Sequence, residues 1–182
     1  MIAASAYAVL VAALVVRFRS PDELPLEPAR PLPGDPVWLA RVHHALLGVL
    51  LIGAPIERLF HASATSGRGV GFCLFAIGVV LYRVAGRTLG DALSPFTEPR
   101  ETAPLVTHGL YRHLRHPIYV SQALIAVGAP LLLGCRDVLV LASALVLVLA
   151  IRVAREEEAL ARTFPDYSRY AAQTKRIVPF VY

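Results

Sequence analysis

Apolar residues dominate five stretches of the chain: residues 2–16, 37–56, 69–85, 118–134 and 138–151. A helix needs about 20 such residues to cross a bilayer, with a range of about 17–25. Each stretch therefore predicts a membrane helix, and the first and fifth need flanking residues or a thinned bilayer to do it. Arg17 and Arg19 follow the first apolar run rather than precede it, so this run reads as a retained helix and not a signal peptide. Only residues 134–137 separate the fourth and fifth stretches, which predicts a tight hairpin. Asp137 is expected to cap its second helix. Ala126, Gly128, Ala129, Ala142, Ser143 and Ala144 are expected to let helices pack closely in lipid.

The polar gaps have characters of their own. Residues 20–36 are rich in proline and acid, a composition for an extended connector. Trp38 follows as an interfacial anchor. Arg41, His43 and His44 begin the second stretch; they read as residues near the interface, with a histidine facing a functional cavity as the alternative. Pro95, Pro99 and Pro104 argue against a long helix in residues 89–109. A loop of that length is commonly a lid or a binding loop. Its Leu105–Val106 pair suits a flat or apolar part of a ligand. Beyond the fifth stretch, helical spacing continues through residues 152–164, RVAREEEALARTF. Arg152 and Glu156 share one face there, while Glu157 and Glu158 point elsewhere.

Composition sharpens this pattern. A length of 182 residues suggests one domain. Hydrophobic residues make up 56% and charged residues 17%, with a mean hydropathy of +0.58. A soluble chain carries roughly 25% charged residues, so these values point to a membrane protein. The net charge of +5 does not form a basic patch interleaved with aromatics, and nucleic acid is not an expected partner. Of the 18 basic residues, three lie in 17–36, two in 57–68, five in 83–117, one at Arg136 and six from Arg152 onward, with Arg41 inside the second stretch. A five-helix, N-out arrangement puts the larger share on the cytoplasmic side. Cys73 and Cys135 form no CxxC and no zinc spacing; both read as packing residues, and no metal site is expected.

Chemistry concentrates in residues 109–119, GLYRHLRHPIY, at the mouth of the fourth stretch. This segment holds Tyr111, Arg112, His113, Arg115, His116 and Tyr119, and its Pro117 stops any helix running through. The hairpin returns the chain to the same side, where Arg152 and Glu156 are expected opposite Arg115, His116 and Tyr119. Together they make a charged cup over a lipid-facing cavity. Phe164, Tyr167 and Tyr170 are placed to fold the tail across it.

The GLYRHLRHPIY segment, the Glu156–Glu157 pair, the F-x-x-Y-x-x-Y of Phe164, Tyr167 and Tyr170, and the stretch from Arg176 to Pro179 resemble the isoprenylcysteine carboxyl methyltransferase family. Related integral-membrane phospholipid and thiol methyltransferases share parts of the pattern. The resemblance spans about residues 89–179 and implies S-adenosylmethionine as methyl donor. It implies that Leu105, Val106, Tyr111, His116 and Tyr119 line the cofactor pocket and that Glu156 holds a polar end of the cofactor. Arg152 is implied to bind and orient the acceptor, a lipidated cysteine or a lipophilic small molecule arriving from the membrane lipids. No general base is implied, because an ionised carboxylate already attacks the sulfonium methyl. Ser121 and Gln122 depart from the small or apolar residues common in the family and are candidates to alter the acceptor.

The expected fold is thus an all-α integral membrane protein with about five transmembrane helices, N-out and C-in. A cytoplasmic cofactor pocket is expected from the loop before helix 4, the helix 4–5 hairpin and the C-terminal helix. Residues 1–88 would carry helices 1–3, and residues 89–182 the methyltransferase core. Two alternatives stay open. One is an NADPH-dependent enzyme like the membrane sterol reductases, whose ending resembles RIVPFVY. The other is a non-catalytic adaptor binding anionic lipid.

Overall fold

The computed structural model describes residues 2–15, 36–60, 66–99 and 103–177. The expectations for the proline-rich first loop, for Arg17, Arg19, Arg30, His61 and Arg100, and for Pro179 fall outside the described residues.

Each apolar stretch forms a helix. These are α1 (Ile2–Val15), α2 (Val37–Phe60), α3 (Arg68–Leu89), α4 (Pro117–Leu133) and α5 (Asp137–Thr163), followed by the short α6 (Tyr167–Gln173). Among the described residues the fold is all-α, apart from an isolated bridge between Leu114 and Lys175. Three helices are long and apolar enough to cross a membrane: α2 with 24 residues, α3 with 22 and α5 with 27. The apolar helices α1 and α4 are shorter, at 14 and 17 residues. At about 1.5 Å per residue, α5 outreaches the ~30 Å hydrocarbon core. Its apolar run ends at Ile151, so the charged turns beyond project from the bundle.

The closest backbone approach joins α3 to α4. A Cβ on Gly71 would lie 2.3 Å from the Leu132 nitrogen, and one on Gly128 2.5 Å from the Phe75 nitrogen. Gly128 therefore does let two helices pack closely, as expected, and the partner is α3. Ser143 and Ala144 are exposed, whereas Ala126, Ala129 and Ala142 are buried in the core with Leu50, Phe75, Ile125 and Leu145. Tyr7 of α1 joins that core and donates its hydroxyl to the Leu51 carbonyl of α2.

The hairpin turn corrects a second expectation. Asp137 does not cap α5; the Glu57 carboxylate of α2 does. It accepts backbone N–H bonds from Arg136 at 2.8 Å, Asp137 at 3.3 Å and Val138 at 3.0 Å. A helix start leaves such donors unpaired and is the positive end of its dipole, so a carboxylate from a neighbouring helix answers both. Cys135 is buried beside the turn, its Sγ 3.1 Å from the Ala54 carbonyl oxygen, as a packing residue should be. Cys73 is exposed instead, because α3 turns its glycine face to α4 and leaves Cys73 outside.

Candidate functional site

The loop between α3 and α4 is shaped by local chemistry. α3 ends in a single 3-10 turn at Gly90–Ala92, and the proline-bearing residues beyond it are irregular. Gly109 has φ +60°, a left-handed conformation that favours glycine, and a Cβ there would lie 2.9 Å from Thr88 Cγ2. The chain can thus turn against the end of α3 and enter a second 3-10 turn at Gly109–Arg112. Pro117 then opens α4, where its missing N–H costs nothing.

Four helix ends and this loop surround one cavity of about 530 Å³. The start of α2, the end of α3, the start of α4 and the charged part of α5 all reach it, so it lies at one end of the bundle. Leu105, Val106, Tyr111, His116, Tyr119, Arg152 and Glu156 all line it. The structure brings together every site residue expected from the sequence.

Glu156 brings a carboxylate of α5 to the cavity. Its Oε2 accepts a 2.6 Å hydrogen bond from the Tyr119 hydroxyl, and its Oε1 lies 4.0 Å from His116 Nδ1. Arg152 is 2% exposed and stands over the Tyr119 ring, 5.7 Å from its centroid. Its Nη2 donates to the Pro95 carbonyl at 2.7 Å, fastening the loop to α5. Arg162 fastens it again, donating to Glu98 Oε1 at 2.8 Å. Tyr119 thus joins both charged residues of the α5 face: it bonds Glu156 and carries Arg152 on its ring.

Glu157 lies on another face of α5, and its importance was not legible in the sequence. Only 8% exposed, it gathers three partners. Its Oε1 is 3.1 Å from both Arg115 Nη1 and His116 Nε2, while Oε2 accepts from Arg176, whose Nε is 2.8 Å away. Burial pushes this carboxyl up, but the bonds from His116 and Arg176 and the Arg115 charge outweigh it and hold it at about 2. The contact with Arg176 was hidden because it joins residues that α6 must fold back to bring close.

The tail does cover the cup. Phe164, Tyr167 and Tyr170 line the cavity, and the Tyr170 hydroxyl donates to the Tyr111 carbonyl at 2.8 Å. Backbone bonds close the return, Arg115 N–H to the Lys175 carbonyl at 2.8 Å and Lys175 N–H to the His113 carbonyl at 3.1 Å. Burial above all raises the phenols of Tyr111, Tyr167 and Tyr170, the last two to about 12.

His43 and His44 also line the cavity, so the alternative reading of this pair is the one the structure bears out. The 121–122 pair divides. Ser121 is buried and bonds the Ile118 carbonyl of its own helix at 2.6 Å, whereas Gln122 faces the cavity.

A family model described as phospholipid methyltransferase matches residues 67–167. The chain is 32% identical over 117 residues to a probable protein-S-isoprenylcysteine O-methyltransferase of Oryza sativa subsp. indica, covering 62% of this chain and 61% of that protein. It is 33% identical over 116 residues to protein-S-isoprenylcysteine O-methyltransferase A of Arabidopsis thaliana, covering 61% and 58%. It is also 33% identical over 125 residues to the cobalt-zinc-cadmium resistance protein CzcN of Cupriavidus metallidurans, covering 66% and 56%. The match thus spans about three fifths of the length of these relatives.

Proposed function

Since the chain belongs to the phospholipid methyltransferase family, we propose that it transfers a methyl group from S-adenosylmethionine to a lipophilic acceptor held in the membrane. The reaction closest to its site is carboxyl O-methylation of an isoprenylcysteine, or of a similar small prenyl or lipid acid or thiol. The observation that carries this reading is the convergence of an apolar wall, aromatic rings, a carboxylate and a buried guanidinium on one cavity.

Those residues fit a cationic sulfonium nucleoside. Leu105 and Val106 offer an apolar wall for a flat base, and Tyr111 and Tyr119 offer rings beside the cation. Glu156, oriented by the Tyr119 hydroxyl, is placed to hold a polar end of the ligand. S-adenosylmethionine supplies an electrophilic methyl whose bonding pair stays on sulfur as an ionised carboxylate oxygen takes the carbon, so no proton has to be removed. The chain's own contribution is positioning and exclusion of water. His116 stays oriented by Glu157, the loop is fastened through Pro95 and Glu98, and the tail roofs the cup. Arg152 orients the acceptor.

In this reading α1 and α4 cross the bilayer as well, giving five spans with the N-terminus out. The cavity then opens on the cytoplasmic side, consistent with the basic residues that crowd that end.

The test is calorimetric binding of S-adenosylmethionine, S-adenosylhomocysteine and NADPH to the detergent-purified protein. The first two are expected to bind, and Glu156→Ala to weaken both by about tenfold or more, the scale of one lost charge-assisted hydrogen bond. Undiminished affinity in Glu156→Ala removes that residue from the donor site. Binding of NADPH alone overturns the proposal.

A further inference from the structure

Part of the cavity wall is a strip of loop laid along α5. Arg152, Glu156 and Leu160 line the cavity from α5 at four-residue spacing, which is one face of a helix. Residues 94–99 line it from the loop. Two arginines of that helix hold the strip. Arg152 Nη2 donates to the Pro95 carbonyl at 2.7 Å, and Arg162 Nη2 to Glu98 Oε1 at 2.8 Å. Ten residues separate the two arginines, about 15 Å along a helix that rises ~1.5 Å per residue. The strip is thus tied at an inner and an outer end.

The two ties differ in what it costs to break them. Arg152 is 2% exposed, so releasing Pro95 strands more of a buried charge. The Arg162 side chain is 66% exposed and that of Glu98 18%, on charged turns that project from the bundle. Water can take over there, and exposed ion pairs contribute little to stability. The tail is held more firmly. Glu157 gathers Arg115, His116 and Arg176, Tyr170 bonds the Tyr111 carbonyl, and two backbone bonds join Lys175 to residues 113 and 115. Among these ties around the cavity, Glu98–Arg162 opens at least cost. Glu98 lines the cavity and Arg162 does not, so parting the pair moves the wall while Arg162 stays clear of any ligand.

We propose that residues 94–99 are the gate through which the methyl donor enters and its demethylated product leaves. The Glu98–Arg162 pair is its latch, and the Arg152–Pro95 bond is the pin on which it swings. Arg162 is a positioning residue that acts through the loop. This inference rests on the methyltransferase reading and adds an exchange route to it. The latch joins protein to protein whether the cavity is full or empty. Weakening it therefore raises the open fraction of both forms alike, so entry and exit speed up by one factor and affinity holds. Losing a ligand contact raises exit alone.

The experiment measures association and dissociation of tritiated S-adenosylhomocysteine by rapid filtration, with the full-length protein in detergent. Arg162→Gln is expected to raise both rates by about threefold, the worth of an exposed ion pair, with Kd unchanged. Arg162→Lys keeps the charge and should stay near wild type. Glu98→Gln should match Arg162→Gln, and the double variant should be no faster than either, because one interaction is lost in all three. Arg169→Gln breaks another exposed pair, Arg169–Asp166 on the tail side, and should leave both rates as they are. Unchanged rates in Arg162→Gln overturn the proposal, as does faster exit without faster entry. So do effects that multiply in the double variant, or an equal effect of Arg169→Gln. Folded wild type that binds no S-adenosylhomocysteine overturns the methyltransferase reading, and the gate with it.

Discussion

Arg152 is a long, charged side chain held almost entirely out of solvent, and its geometry explains why arginine stands there. The planar guanidinium lies over the Tyr119 ring and bonds the Pro95 carbonyl, with further nitrogens left toward the cavity. An ammonium cannot do all three, being a compact point charge without a stacking plane. Arg152→Lys is therefore expected to lower acceptor kcat/KM by about 10- to 100-fold, the worth of a lost hydrogen bond to a charged group. S-adenosylhomocysteine affinity should stay within about threefold. Initial rates and calorimetry on the same preparation check this, and an equal loss of donor affinity would place Arg152 in the donor site instead.

At the level of elements, the α3–α4 contact sets where the cavity can be. Gly71, Gly78 and Gly128 let the two backbones approach until no Cβ fits between them. That approach brings the end of α3 and the start of α4 together, with the connecting loop folded over the opening. Gly128→Val has only backbone to press against, at 2.5 Å and 2.9 Å from Phe75 and Gly71 atoms. It is expected to destabilise the fold by roughly 3 kcal/mol, the upper range for overpacking. Gly48 has nothing within 4 Å, so Gly48→Ala is expected to be neutral or to stabilise by up to about 1 kcal/mol. Thermal unfolding of both variants in one detergent makes the comparison; equal behaviour would show that the close contact does not hold the bundle.

Across the whole molecule, Glu157 ties the tail to the mouth of α4. It joins Arg115 and His116 from one segment to Arg176 from the other, beside the Leu114–Lys175 bridge. Its carboxyl sits at about 2 instead of its ordinary 4.5, so the docked tail is stabilised by the ionised form. That stabilisation is fully present above about pH 4.5 and is lost as pH falls through 2. A pair of spin labels at the exposed positions Arg112 and Gln173 is expected to keep one short distance at pH 7 and to separate as pH nears 2. Glu157→Gln, which cannot ionise, should separate them already at neutral pH. A distance that stays fixed in this variant would show that backbone bonds alone dock the tail.

Much of this protein was legible along the chain because the controlling forces are local. Apolar runs of near-membrane length predicted the five long helices, since burial of continuous apolar surface depends on composition and period alone. Helical spacing likewise carried α5 past Ile151, and the prolines kept the α3–α4 loop irregular. The seven residues that the family resemblance implied for the site do meet at one cavity. The tertiary structure alone decided what depends on partners distant in sequence. Glu57 takes the capping role expected of Asp137 across 79 to 81 positions. Gly128 finds its close partner in α3, and Cys73 faces outward. His43 joins Gln122 and Arg152 from the first half of the chain, and Glu157 becomes a hub only when α6 returns Arg176 to it. Spacing along a helix tells which residues share a face; only packing tells what that face meets.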